Sequence, residues 1–217
     1  MIDLHTHSIF SDGELIPSEL ARRAKVAGYT ALAITDHADH SNFDFIIPRL
    51  AKVCDKLTGA FAIQVMPGIE LTHVPPQYIY ELAREARLAG AKIIVVHGET
   101  LVEPVMGGTN MAALKAPIDV LAHPGLITEE EAMEAAKNSI CLEITTRKGH
   151  SLTNGHVAKM ARQAKALLIL NSDSHSPDDL VSGDMARRIA LGAGLTEAES
   201  AVMFRNSAAL LKKALER

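Results

Sequence analysis

Short apolar runs with the character of β-strands recur seven times along the 217 residues, and the stretches between them carry helical spacing, so strand and helix alternate throughout. The runs are Ile2 to His5, Ala31 to Thr35, Phe61 to Met66, Lys92 to Val96, Ile118 to Ala122, Ile140 to Ile144 and Ala166 to Leu170. Between them, apolar residues fall three and four apart, as in Ile46, Leu50, Val53, Cys54 and Leu57, the periodicity of a helix with one buried face. Such alternation requires a parallel sheet with right-handed crossovers. Pattern alone leaves open an open doubly wound sheet or a closed barrel. Seven units in this length suit a barrel slightly smaller than the eight-stranded kind, which takes about 250 residues.

Helix punctuation agrees with this alternation. Pro17, Pro48 and Pro75 fall near expected helix starts, and Gly28, Gly59 and Gly90 follow the last apolar turns. Thr128 with Glu131, and Thr196 with Glu199, have the spacing of capping boxes. Nothing suggests a linker or low complexity, so one domain is expected over 1–217. The longest irregular segment, Gly98 to Asn110, contains Pro104 and the Gly107-Gly108 pair and is a candidate active-site loop.

Composition narrows the function classes. With 22 Lys and Arg against 26 Asp and Glu, and 47% hydrophobic residues, the chain is neither a disordered acidic polymer nor a polybasic nucleic-acid binder. No apolar run approaches the roughly 18 residues of a membrane span. The N-terminus has no signal-peptide pattern. Cys54 and Cys141 lie in apolar surroundings without metal-type spacing and read as reduced core residues, which fits a cytoplasmic protein.

Histidine is the anomaly, at 10 residues against 5 Phe, 3 Tyr and 0 Trp. The strand ends account for most of it. The first strand runs into His5-Thr6-His7 and then Ser11-Asp12-Gly13; the second into Thr35-Asp36-His37; the third into Gly68-Ile69-Glu70. The fourth ends in His97, the fifth in His123-Pro124, and the seventh is followed by Asn171-Ser172-Asp173-Ser174-His175. In a parallel barrel all C-terminal strand ends open on one face. His5, His7, Asp12, His37, Glu70, His97, His123, Asp173 and His175 should therefore converge. Within an extended strand, His5 and His7 point the same way, as do Asp173 and His175. Imidazole and carboxylate without cysteine is the ligand set of catalytic Zn, Mn or Fe sites. At three or four protein ligands per ion, nine residues would hold two or three divalent ions.

The motifs Asp3-Leu4-His5-Thr6-His7, Ser11-Asp12-Gly13, Ile34-Thr35-Asp36-His37, Gly68-Ile69-Glu70, His97, Ala122-His123-Pro124 and Ser172-Asp173-Ser174-His175 together resemble the PHP (polymerase and histidinol phosphatase) superfamily. The resemblance spans residues 3 to 175. It implies an α/β fold, a distorted seven-stranded (β/α)7 TIM-like barrel, with a two- or three-metal centre that hydrolyses phosphate esters. On that pattern His5, His7, Glu70 and Asp173 hold one ion, and Glu70, His97 and His123 a second. Asp12, His37 and His175 hold a third.

A hydroxide shared by two ions is the expected nucleophile, because coordination lowers the pKa of water to about 7. Glu70, Asp173, His175 and Arg147 are the residues expected to carry catalysis. Arg147 stands in Thr145-Thr146-Arg147-Lys148-Gly149-His150 after a sixth strand with no evident ligand. It reads either as a guanidinium fork for phosphate oxygens or as part of a solvated basic turn, with Lys148 and His150 weaker candidates. His73 reads as a surface residue near the pocket, and His40 and His156 as solvated or flanking residues. A small phosphomonoester is the expected substrate, with histidinol phosphate the family's namesake candidate. Glu99 and Glu103 in the irregular loop are available to attract a cationic substrate. A nuclease or nucleotide phosphatase on the same centre, or a non-catalytic metal-binding module, are the alternatives. No extended nucleic-acid surface is expected.

Overall fold

Seven parallel strands and their crossover helices form a barrel that is closed at its upper rim, as a computed structural model describing residues 1–217 shows. The path runs β1 (Ile2–Asp3), β2 (Ala31–Ile34), β4 (Gln64–Leu71), β5 (Ile93–His97), β6 (Val120–Ala122), β7 (Cys141–Thr145) and β8 (Leu168–Asn171). An eighth short strand, β3 (His37–Ala38), pairs with the upper half of β4. Closure comes from the segment after β1. Asp173 N–H donates to the His5 carbonyl at 3.0 Å, and His7 N–H donates to the Ser174 carbonyl at 2.8 Å.

Helices α1 (Pro17–Val26), α2 (Phe43–Phe61), α3 (Pro76–Leu88), α4 (Thr109–Leu114), α5 (Glu129–Asn138) and α6 (Asn154–Ala164) fill the crossovers, and α7 (Gly183–Gly192) and α8 (Glu197–Leu215) complete the chain. Both capping boxes form at the expected residues. Two expected boundaries move because α2 is long. Pro48 lies inside α2 and not at its start, and Gly59 lies within its final turn. The third strand therefore begins at Gln64, three residues later than the apolar run at Phe61 suggests, and extends through Glu70. Apolarity alone does not separate the end of a buried helix from the start of a buried strand.

Strand alternation sorts the core into two layers. Leu32, Ile34, Val65, Ile69, Ile94, Val96, Leu121 and Leu142 face outward against the helices. Leu4, Ala33, Met66, Ile93, Val95, Val120, Cys141 and Ile169 fill the interior with Leu210 and Ala214 of α8. Burying a side chain of Leu or Ile size contributes about 1.5–3 kcal/mol, so both layers stabilise the fold substantially. At the lower end Asp119 binds Arg87 and Arg217, each at 2.7 Å, pinning the chain's last residue beneath the barrel. Cys54 and Cys141 are buried, unpaired thiols, both pushed up to about 12 by burial. No helix is long and apolar enough to cross a membrane.

Candidate metal centre

The inner-face parity that places Met66, Ile93 and Cys141 in the interior also delivers polar side chains at its top. Counting by twos, Met66 leads through Gly68 to Glu70, Ile93 through Val95 to His97, and Cys141 to Glu143. Register then sets neighbours: β3 pairs His37 directly with Glu70, and the His37 Nδ1 to Glu70 Oε2 distance is 2.6 Å. Gly98 lets the ends of β5 and β6 meet, since a Cβ there would lie 2.3 Å from the Ala122 carbonyl oxygen. As a result the His97 and His123 rings stand 4.4 Å apart.

All nine residues expected as ligands come together. The His5, His7 and Glu70 side chains are fully buried, whereas that of Asp12 is 58% exposed, so the site is a shaft with a dry floor and a wet rim. On the floor His5 Nε2 lies 3.3 Å from Glu70 Oε1, and His7 Nε2 lies 3.2 Å from Asp173 Oδ1. His123 Nε2 lies 3.8 Å from Glu70 Oε1 and 3.7 Å from Asp173 Oδ2. Near the rim Asp12 Oδ1 lies 3.4 Å from His37 Nε2 and 3.1 Å from His175 Nε2, and those two nitrogens are 3.5 Å apart. The expected grouping of His97 with Glu70 is not a direct contact: the carboxylate His97 Nε2 meets is that of Glu103, at 3.1 Å.

These separations fit shared cations. Two ligand atoms about 2.1 Å from one ion stand roughly 3.0 Å apart in an octahedron and roughly 3.4 Å apart in a tetrahedron. Moreover, His5 Nε2, His7 Nε2, Glu70 Oε1, His123 Nδ1 and Asp173 Oδ1 are buried without a hydrogen-bond partner. Leaving such atoms unsatisfied costs about 1–3 kcal/mol each, and coordination would satisfy them. Four triplets or quartets of His, Asp and Glu have ligand atoms within 4.8 Å of one another. His123 and Asp173 adopt left-handed backbone, φ 27° and 52°, a strain held at the strand ends where these side chains turn inward.

The electrostatics are those of a cation site. Burial alone would raise the Glu70 carboxyl, yet the imidazoles of His5 and His37 hold it well below the usual carboxylate range. Burial, opposed by His5 and reinforced by Glu70, pushes Asp173 up to about 7. Burial and then neighbouring imidazoles push His7 and His123 well down, which keeps their lone pairs free. Burial pulls His37 down, but Glu70 and then Asp12 outweigh it and bring the ring up to about 9. Without a metal, His37 is therefore protonated at neutral pH and must release that proton to coordinate. Metal affinity is expected to rise between pH 6 and 9, by about tenfold per pH unit for each proton displaced. Equilibrium dialysis at several pH values measures this, and a flat profile would contradict it.

Several residues that hold the centre were not evident as site residues in the sequence. Glu143 Oε1 accepts from His5 Nδ1 and from Asn171 Nδ2, both at 2.8 Å, and Oε2 accepts from His123 N–H at 3.2 Å. Asp36 accepts from Ser8 and Ser11 hydroxyls and so fixes the loop that carries Asp12. The signal for Glu143 was available: an acid between Leu142 and Ile144 in an apolar strand must have buried partners. Arg147 reaches the centre, with Nε 3.6 Å from Asp173 Oδ2 and Nη1 3.7 Å from Asp179 Oδ2. Glu99 is not free for substrate, because its Oε1 accepts from Gly108 N–H and Asn110 N–H. Half-exposed His73 sits on the rim with Nε2 3.5 Å from Glu103 Oε2, while His156 donates to the Ile127 carbonyl at 2.7 Å.

The PHP domain family matches residues 3–172. The chain belongs to that family. Among curated relatives of this PHP chain, an uncharacterized protein of Methanocaldococcus jannaschii is 48% identical, over 91% of each chain. Ribonuclease P protein component 3 of Methanosarcina mazei is 27% identical, over 91% of this chain and 82% of that one. A probable phosphatase of Shewanella halifaxensis is 29% identical, over 87% of this chain and 83% of that one. Among solved structures, histidinol phosphate phosphatase of Lactococcus lactis, in complex with zinc, L-histidinol and phosphate, shares the fold. Its TM-score is 0.63 at 17% identity, covering 90% of this chain and 94% of that chain. PHP proteins are metal-dependent phosphoesterases, and this chain has their barrel with His, Asp and Glu clusters suited to metals.

Proposed function

We propose that the protein is a metal-dependent phosphomonoesterase acting on a small substrate that presents one phosphoryl group to the shaft. The observation that supports this most is the set of unpartnered atoms of His5, His7, Glu70, His123 and Asp173 on the floor, with the Arg147 guanidinium beside Asp173. Divalent zinc, manganese or iron bound there supplies a nucleophile at neutral pH and neutralises charge on the phosphoryl oxygens. The chain's residues do the remainder. His5, His7, Glu70 and Asp173 would hold one ion, Glu70, His97 and His123 a second, and Asp12, His37 and His175 a third. The buried floor excludes water from those residues, and Arg147 orients the substrate by forking onto two phosphoryl oxygens.

Charge-assisted contacts of that kind contribute about 1.5–3 kcal/mol, so Arg147→Ala is expected to reduce kcat/KM roughly 10- to 100-fold, chiefly through KM, with metal content unchanged. Arg147→Lys keeps the charge without the fork and should recover only part of the loss. Unchanged kinetics in both variants would restrict Arg147 to bracing Asp173 and Asp179.

The relation to a ribonuclease P component favours a second reading, phosphodiester chemistry on nucleic acid or association with RNA. A formal charge of -4 argues against a long basic track. One panel separates the readings: protein loaded with zinc, manganese or iron, assayed on p-nitrophenyl phosphate, histidinol phosphate, nucleotides and short DNA and RNA strands. Turnover of monoesters is expected. Cleavage of the oligonucleotides with no monoester turned over would replace the proposal with a nuclease, and no turnover of any would replace it with a metal-binding module.

A further inference from the structure

The histidines differ in what anchors the nitrogen facing away from the shaft. In His5, His97 and His175, Nδ1 is tied to an oxygen, Glu143 Oε1 at 2.8 Å, the Gly98 carbonyl at 3.2 Å and the Asp173 carbonyl at 3.0 Å, whereas His37 Nδ1 lies between Thr72 Oγ1 at 2.7 Å and Glu70 Oε2 at 2.6 Å. Fixing one nitrogen in this way leaves Nε2 as the coordinating atom and sets the ring's direction, which is how metal-binding imidazoles are oriented. His150 lies outside the nine residues that the family resemblance assigns, yet it has the same build. Its Nδ1 is 2.8 Å from Thr100 Oγ1, and the residue is only 6% exposed. Its ring stacks on His123 with centroids 4.1 Å apart and an interplanar angle of 16°, and it meets His97 edge-on at 5.7 Å. Ligand atoms of His97, His123 and His150 lie within 4.8 Å of one another.

Glu103 completes the group from above. One carboxylate spans two rings, with Oε2 3.1 Å from His97 Nε2 and Oε1 3.3 Å from His150 Nε2. Both distances match the spacing of two ligands on one ion, roughly 3.0–3.4 Å. Glu103 stands on the irregular loop between β5 and α4 and is 38% exposed, so it has room to swing away.

We propose that His150 is a tenth metal ligand, joining His97, His123 and Glu70 on the second ion, with Glu103 an exchangeable further ligand of the same ion. This rests on the reading of the shaft as a metal centre. Three imidazoles among the ligands favour zinc or ferrous iron over magnesium or calcium. An arriving phosphoryl oxygen takes the place of Glu103, and the three rings stay bound.

Histidine-selective 15N labelling, with imidazole correlation spectra recorded as zinc is added to the metal-free full chain, reads ligation ring by ring. Seven of the ten rings are expected to move to metal-bound positions: His150 and the six histidines of the nine-residue set. His150→Gln identifies its resonance and is expected to weaken one zinc site about tenfold or more, with the circular dichroism spectrum unchanged. Should that variant not fold, the count of shifted rings in the unaltered protein gives the same answer. Six shifted rings, with His150 at its free position in saturating zinc, overturn the proposal and leave the metal centre standing. If no ring shifts, the metal centre itself falls. Glu103→Gln is expected to retain the zinc stoichiometry and to bind inorganic phosphate severalfold more tightly, and unchanged or weaker phosphate binding removes Glu103 from the ion.

Discussion

Glu70→Ala is expected to lower kcat/KM for any phosphomonoester the protein hydrolyses by at least about 10³-fold, and to reduce the divalent ions retained per chain. The size follows from position. Glu70 lies within 3.8 Å of His5, His7, His37 and His123 at once, a reach matched only by Asp173, on His5, His7, His123 and His175. A cation lost from such a centre removes several kcal/mol of transition-state stabilisation, and about 1.4 kcal/mol is tenfold in rate. Glu70→Gln, which keeps the shape and loses the charge, is expected to fall nearly as far. Elemental analysis beside steady-state kinetics provides the check. Full activity with unchanged metal content in both variants would show that Glu70 bridges nothing.

The barrel and the convergence of most candidate ligands were legible because they rest on short-range regularities. Strand parity brings Glu70 and His97 to the interior, and the positions of these residues at strand ends put them on one face. What escaped the sequence depends on register and on loops. The contact between His37 and Glu70 follows from the short β3 pairing, which a two-residue strand does not advertise. Glu103 and His150 come from irregular segments 47 positions apart and meet only because the loops after β5 and β7 fold over the same rim. Pro48 misled for the opposite reason: a proline usually marks a first turn, but α2 accommodates one in its second. Glu143 is a different case, since its apolar strand context marked it as a buried acid without saying which groups it would serve.

That role gives the second large effect. Glu143 binds no ion in the arrangement proposed here; it fixes the His5 ring through Nδ1 and the turn at His123 through the backbone N–H. His123 holds a left-handed backbone, φ 27°, that an ordinary strand end would relax, and Glu143 is one of the groups opposing that relaxation. Replacing the oxygen that orients a metal-binding imidazole typically costs 10- to 100-fold in affinity, so Glu143→Ala is expected to weaken zinc binding by about that factor. Glu143→Gln retains an acceptor for His5 Nδ1–H and should recover most of it, whereas Glu70→Gln should not recover metal binding. This contrast separates a positioning residue from a ligand. The 15N spectra provide a further readout: in Glu143→Gln the His5 Nε2 resonance should still move on adding zinc, at higher zinc concentration. If Glu143→Ala binds zinc as tightly as the unaltered protein while His5 still shifts, the imidazole needs no such anchor, and the buried carboxylate serves only the closure between β1 and β8 through Asn171.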